Sequence, residues 1–100
     1  MLYITQLIYI KPGKEGVFHQ FESLVIPLMK KYGGQVVQRI RPTPETFVDG
    51  EAKKPYEIHI VSFPSEDDLI AYAHDPIRSK MMHFKDESVE SILMFRGEVD

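Results

Sequence analysis

Glu57 and His59 stand two residues apart in a β-branched and aromatic run that ends at Phe63. In a strand, residues two apart share a face, so these two side chains point the same way. A histidine beside a carboxylate on a half-buried strand suits general acid–base chemistry near neutral pH. Arg39 lies in the preceding strand-like run, and its guanidinium suits a carboxylate or an enolate oxygen. His59, Arg39 and Glu57 are therefore the candidate catalytic group. A purely structural assignment competes with this. In it, Arg39 pairs with Glu57 and His59 is a satisfied interior histidine, since ion-pair networks gather the same residue types. Strand parity decides whether Arg39 joins the other two, and a slip of one residue would turn it to the opposite face.

Other chemistries find little support. Glu57 and His59 supply two same-face metal ligands, but a third would have to come from His74 or His83, and no ligand-spacing motif brings either close. No metal and no cofactor is expected. His19 and His83 fall on the polar sides of their helices and read as surface residues. Tyr3, Tyr9, Tyr32, Tyr56 and Tyr72 are enough to line an aromatic pocket, although tyrosines more often serve core or interface. Met29, Met81 and Met82 read as gap fillers. The glycine pair Gly33-Gly34 follows a helix, whereas a phosphate cradle precedes one, so it reads as a cap. The sequence contains no nucleophile elbow, P-loop or dinucleotide fingerprint.

Composition bounds the rest. One hundred residues, 43% hydrophobic and 27% charged, fit one globular domain spanning 1–100. The net charge of −3 argues against nucleic acid as a partner, because phosphate neutralisation wants a basic face. Without cysteine there is no disulfide framework and no thiolate chemistry. The opening run MLYITQLIYI lacks a basic flank and meets Lys11-Pro12-Gly13 too early to span a membrane. It reads as a first strand, and the expectation is a cytoplasmic protein with no membrane association.

Taken in order, Leu2 to Ile10 is a strand with both faces largely apolar. Glu15 to about Tyr32 is a helix with an apolar stripe of Val17, Phe18, Phe21, Leu24, Val25, Leu28, Met29 and Tyr32. Pro27 should kink it and Gly33 should cap it. A second strand, Gln35 to Arg41, alternates Val37, Arg39 and Arg41 against Val36, Gln38 and Ile40. Pro42 to Lys54 is a long loop, expected at the rim of any pocket. The third strand is Tyr56 to Phe63. Ser65 then opens a short helix through a capping-box-like pairing with Asp68. Leu69, Tyr72 and Ala73 form that helix's buried side. After Asp75-Pro76 a further helix runs from about Ile77 to Asp86. A fourth strand spans Ser91 to Arg96, followed by an acidic tail from Gly97 to Asp100.

The order β-α-β-β-α-(α)-β gives an α+β, ferredoxin-like split βαβ arrangement, a four-stranded antiparallel sheet with helices on one face. The second sheet face stays apolar on the first, third and fourth strands, which predicts a homodimer packed sheet on sheet. The sequence of Gly33-Gly34, Arg39, Asp49-Gly50, Phe63-Pro64-Ser65 and Asp75-Pro76, with Pro27 in the first helix, resembles a small uncharacterised bacterial family. That family belongs to the dimeric α+β barrel superfamily, which includes antibiotic-biosynthesis-monooxygenase-like proteins. The resemblance implies the barrel-forming dimer. The chain departs from the family's pattern at Glu57, His59, Ser62 and Ile77-Arg78. Members of the wider superfamily include cofactor-free monooxygenases, haem-degrading enzymes, lactone isomerases and stress-response proteins.

Two functions are then in view. One is a cofactor-independent, monooxygenase-like or isomerase-like enzyme, acting on a small aromatic or carbonyl compound in a pocket between sheet and helices. The other is a non-catalytic dimer that binds a small ligand or another protein. A cavity bordered by His59 favours the first. A filled core with His59 hydrogen-bonded to Glu57 favours the second.

Overall fold

The structure, a computed structural model, describes residues 1–98. Its elements are β1 (Leu2–Ile10), α1 (Glu15–Val25), a 3₁₀ segment (Ile26–Tyr32), β2 (Gln35–Ile40), β3 (Glu57–Phe63), α2 (Glu66–Ala73), α3 (Pro76–Ser88) and β4 (Val89–Glu98). The four strands form one antiparallel sheet in the order β2-β3-β1-β4, as the split βαβ arrangement requires. Gly97 and Glu98, expected in an acidic tail, extend β4 instead, where they pair with Tyr3 and Leu2. The tail's last two residues, Val99 and Asp100, lie outside the described residues. Among the described residues, no helix is long and apolar enough to cross a membrane.

Pro27 does more than kink the first helix. It cannot donate the backbone bond an α-helix needs, and the chain tightens into the 3₁₀ segment one residue earlier. Tyr72 Oη donates to the Val25 carbonyl across 3.2 Å at this junction. Gly33 ends the segment at φ 73°, and the Gly34 amide closes back on the Met29 carbonyl at 2.9 Å. Both glycines also admit a close neighbour. A Cβ on Gly33 would lie 2.7 Å from Pro64 Cγ, and one on Gly34 would lie 2.7 Å from Phe63 Cε1. The glycine pair and the Phe-Pro-Ser corner are thus two halves of one contact.

The core lies between the sheet and the helices. Leu2, Ile4, Met29, Val61 and Phe63 form its buried centre, with Ile26, Tyr32, Leu69 and Tyr72 packed against it. On α1 the buried residues are Phe18, Phe21, Glu22 and Val25, while Leu24 is exposed. The stripe is therefore rotated from the expected one and takes a carboxylate into its middle.

Asp75-Pro76 starts α3. Asp75 Oδ1 accepts from the amides of Ile77 and Arg78 at 2.8 and 3.1 Å, while Oδ2 accepts from Tyr32 Oη at 2.6 Å and Lys31 Nζ at 3.2 Å. One buried side chain thereby caps a helix and ties it to the end of the 3₁₀ segment. Ser65 caps α2 in the expected way, accepting from the Asp68 amide at 3.3 Å and donating to Asp68 Oδ2 at 2.7 Å.

Two outcomes follow. The hydrogen bonds from Tyr32, from the Arg78 and Ile77 amides and from Lys31 outweigh burial and hold the Asp75 carboxyl well below the usual range. A depressed folded-state pKa contributes stability above the unfolded value, lost as pH falls through the folded one. Asp75→Ala should therefore lower Tm by about 5 °C at pH 7, with the gap from wild type closing in strong acid. A gap independent of pH would refute the assignment. Gly34→Ala should cost about 1–3 kcal/mol by overpacking against the Phe63 ring, measured by urea unfolding.

Candidate functional site

Glu57, His59, Val61 and Phe63 are the buried, helix-facing residues of β3. Across the sheet, Ile8 and Gln6 of β1 lie opposite Glu57 and His59. Strict alternation in β2 would put Val36 and Arg39 on opposite faces. The structure places both on the helix side through a β-bulge. Val36 pairs with Val61, Gln38 pairs with Ile60, and Val37 between them has no partner. Arg39 then lies opposite His59. The register question left open by the sequence is answered by one extra residue.

The three expected side chains do come together. His59 Nε2 is 3.0 Å from Glu57 Oε2, and Arg39 Nη2 is 3.5 Å from Glu57 Oε1. Arg41 Nη2 also reaches Glu57 Oε1, at 3.2 Å. Sequence reasoning missed one member, Glu22 of α1. Its Oε2 lies 2.9 Å from His59 Nε2 and 3.2 Å from Arg39 Nη2. Glu22 is only 3% exposed, and neither of its oxygens has a partner aligned as a hydrogen bond among the described residues. The signal was available: Glu22 sits four residues after Phe18 and three before Val25, on the buried stripe. Glu22, Glu57 and His59 have ligand atoms within 4.8 Å of one another. The third group beside Glu57 and His59 is thus a carboxylate. His74 and His83 are exposed, and each bonds a carbonyl of its own helix. His19 is half-buried rather than on the surface, with Nε2 2.7 Å from Tyr56 Oη.

The environments of the two carboxylates push them apart. Burial raises the Glu22 pKa, and the neighbouring Glu57 carboxylate adds to this against the opposing His59 and Arg39. Burial acts the same way on Glu57, but the Glu22 carboxyl and His59 close beside it and the charge of Arg39 outweigh it and leave the pKa lowered. Glu57 is the anion of the cluster and Glu22 the group that keeps its proton longer, the division of labour seen where two carboxyls take different roles. His59 Nε2 faces both carboxyl groups, and Nδ1 makes no hydrogen bond among the described residues.

A cavity of ≈ 340 Å³ separates part of the sheet from the helices. Its lining is mainly apolar, from residues such as Ile4, Phe21, Leu69 and Met94, and His59, Glu22 and Gln6 also border it. Of the three residues named from sequence, only His59 does so. Glu57 sits behind it, and Arg39, with 39% of its side chain exposed, braces both carboxylates from β2. The long loop does not reach the cavity. It is tied down on another side, where Tyr9 Oη donates to the Lys53 carbonyl at 3.0 Å and Lys53 Nζ meets Glu90 Oε2 at 2.6 Å.

No family model matches the chain, and no curated protein does. Solved structures do match. A protein of unknown function from Rhodopseudomonas palustris superposes with TM-score 0.78 at 14% identity, covering 95% of this chain and 78% of its own. A dimeric protein of unknown function and ferredoxin-like fold from Bacteroides fragilis gives 0.71 at 15%, covering 98% and 95%. An antibiotic biosynthesis monooxygenase gives 0.67 at 16%, covering 100% and 99%. Identities this low speak to architecture alone, and on that the sheet order and the neighbours agree: the chain has the ferredoxin-like β-α-β-β-α-β fold.

Proposed function

We propose that this chain is a cofactor-independent enzyme that moves a proton on a small aromatic or carbonyl compound held between sheet and helices. The observation that carries the reading is the pairing of His59 and Glu22 on the wall of an apolar cavity, with Glu57 and Arg39 behind them. His59 Nδ1 takes a proton from carbon next to a carbonyl. The electron pair moves onto the carbonyl oxygen, and the neutral Glu22 carboxyl donates a hydrogen bond to that oxygen. Where the substrate carries a C=C next to the carbon that lost the proton, the charge spreads along it and return of the proton to its far carbon gives an isomerase-like outcome. Capture of the same carbanion by dioxygen gives a peroxide on that carbon; loss of the second hydrogen and of the outer oxygen as water leaves a new carbonyl there, a monooxygenase-like outcome, in keeping with the fold shared with an antibiotic biosynthesis monooxygenase. Glu57, held ionised by Arg39 and Arg41, orients the imidazole and stabilises its cationic form.

The assay is solvent-deuterium exchange into aryl ketones such as propiophenone, followed by proton NMR. Wild type should exceed the buffer rate, and His59→Gln should lose about 100-fold or more of that excess. Exchange at the buffer rate across a panel of such ketones would leave the non-catalytic reading in its place. The raised Glu22 pKa sets the pH dependence. The neutral acid persists above the ordinary carboxylate range, and its contribution disappears as pH rises through the raised value. Glu22→Gln keeps a hydrogen-bond donor that never ionises. It should remove this descending limb and raise stability at neutral pH, whereas Glu22→Ala should lose activity at every pH.

The enzyme works as a homodimer joined through its outer sheet faces. On that face Leu93 and Phe95 of β4 are 52% and 58% exposed, beside Leu7 and Thr5 of β1. Ile58 and Ile60 continue the apolar surface on β3. An apolar sheet face of this kind favours a partner by about 25 cal/mol per Å² covered, before the cost of association. The Bacteroides fragilis neighbour is described as dimeric. Light scattering at micromolar concentration should return the mass of two chains for wild type and of one for Phe95→Asp; a monomeric wild type would remove the dimer.

A further inference from the structure

Besides His74 and the paired Glu66 and Arg96, two polar walls border the cavity. His59 and Glu22 stand on the side formed by β3 and α1. Arg78 and Lys85 border it from α3, seven residues apart and so on one face of that helix. Every other arginine that borders the cavity or the site has a carboxylate partner: Arg39, Arg41 and Arg96 pair with Glu22, Glu57 and Glu66. Arg78 and Lys85 have none within 4.0 Å among the described residues. Arg78 lies over the Tyr72 ring, 4.9 Å from its centroid, and gives one N–H to the Ala73 carbonyl at 3.3 Å. Its Nε is buried without any partner among the described residues.

Leaving such a donor unpaired carries a desolvation cost that a turn of the guanidinium toward an acceptor in the cavity would recover. Lys85 would complement the C-terminal end of α3 just as well from the solvent side, so the helix dipole does not account for its place at the cavity. Burial, with the charge of Arg78 second, lowers the Lys85 pKa; an anion nearby would reverse both effects.

We propose that Arg78 and Lys85 form a carboxylate-binding end of the cavity, so that the ligand is a small, mainly apolar acid. On the proton-transfer reading above, which this proposal deepens, the substrate class becomes an oxo acid. Its carboxylate rests on α3 and its carbonyl faces His59 and Glu22. The apolar lining between the two polar walls takes the hydrocarbon body. A doubly polar ligand would be oriented by the two ends, since an acid placed the other way would set its carboxylate against Glu22, with the Glu57 charge behind His59.

The probes are phenylbutyrate and phenylbutanol, which share a body and differ in charge. Calorimetric titration of the intact protein at low salt should give at least about tenfold tighter binding of the acid. Arg78→Met and Lys85→Met should each remove most of that preference while leaving the alcohol's affinity within about twofold. Each variant is first checked for a wild-type melting curve, and Lys85→Arg, which keeps the charge, should keep the preference. His59→Gln should keep it too, because that residue serves the other end. Equal affinity for acid and alcohol in wild type overturns the proposal. So does a preference that survives the paired Arg78→Met, Lys85→Met change, or the absence of binding by either probe at millimolar concentration. The proton-exchange assay fails or succeeds separately: an acid preference without exchange keeps the carboxylate end and removes the catalytic reading, and exchange without a preference does the reverse.

Discussion

The structure turns on one constraint, that Glu57 is ionised and almost wholly buried. A carboxylate taken out of water carries a penalty of several kcal/mol unless opposite charge and hydrogen bonds surround it. Two strands supply them: His59 of β3 gives the imidazole, β2 gives Arg39 and its continuation gives Arg41. From the other side α1 presses Glu22 against the same imidazole. Each contact also fixes a tertiary relation. Arg39 sets the phase of β2 against β3, and Glu22 sets the rotation of α1 over the sheet. The group that could do chemistry is therefore also a latch between sheet and helix. Removing one arginine would leave the charge half-compensated, softened by the solvent that still reaches Arg39.

The same arrangement explains why the sheet has two dissimilar faces. Inside, the strands meet helices across a core that is not filled, and the space left over is mainly apolar, with charged groups at His59 and Glu22, at Arg78 and Lys85, and at the Glu66–Arg96 pair. Outside, Leu93 and Phe95 of β4 are exposed, and Leu7, Ile58 and Ile60 on the neighbouring strands are only half-buried. One face holds a ligand-sized space while the other offers a surface for assembly, so the two tasks need not compete for residues.

Much of this could be read from the chain. Strand alternation gave Glu57 and His59 a common face, and turn and cap residues marked the joints at Gly33, Ser65 and Asp75. These are local effects, set by backbone preference and nearest neighbours. What escaped was tertiary. Glu22 is polar, so a hydrophobic stripe drawn through α1 passes over it, although its position repeats with Phe18 and Val25. The bulge at Val37 has no glycine or proline to announce it. The helix break at Pro27 was visible, but its result, a 3₁₀ segment in place of a kink, depends on what the next turn packs against. The cavity itself is a property of how three helices fail to close over a sheet, which no local pattern encodes.

The bulge has a bearing on chain length. Deleting a residue from a paired strand ordinarily inverts everything beyond it, sending core groups to water and surface groups to the core. In β2 the odd residue is already set aside, since Val36 and Gln38 follow one another in the ladder as though Val37 were missing. Excising Val37 would leave Gln35, Val36, Gln38, Arg39 and Ile40 in their present phase. This point in the strand is a joint where an ancestral chain could gain or lose a codon with its charged cluster still facing inward.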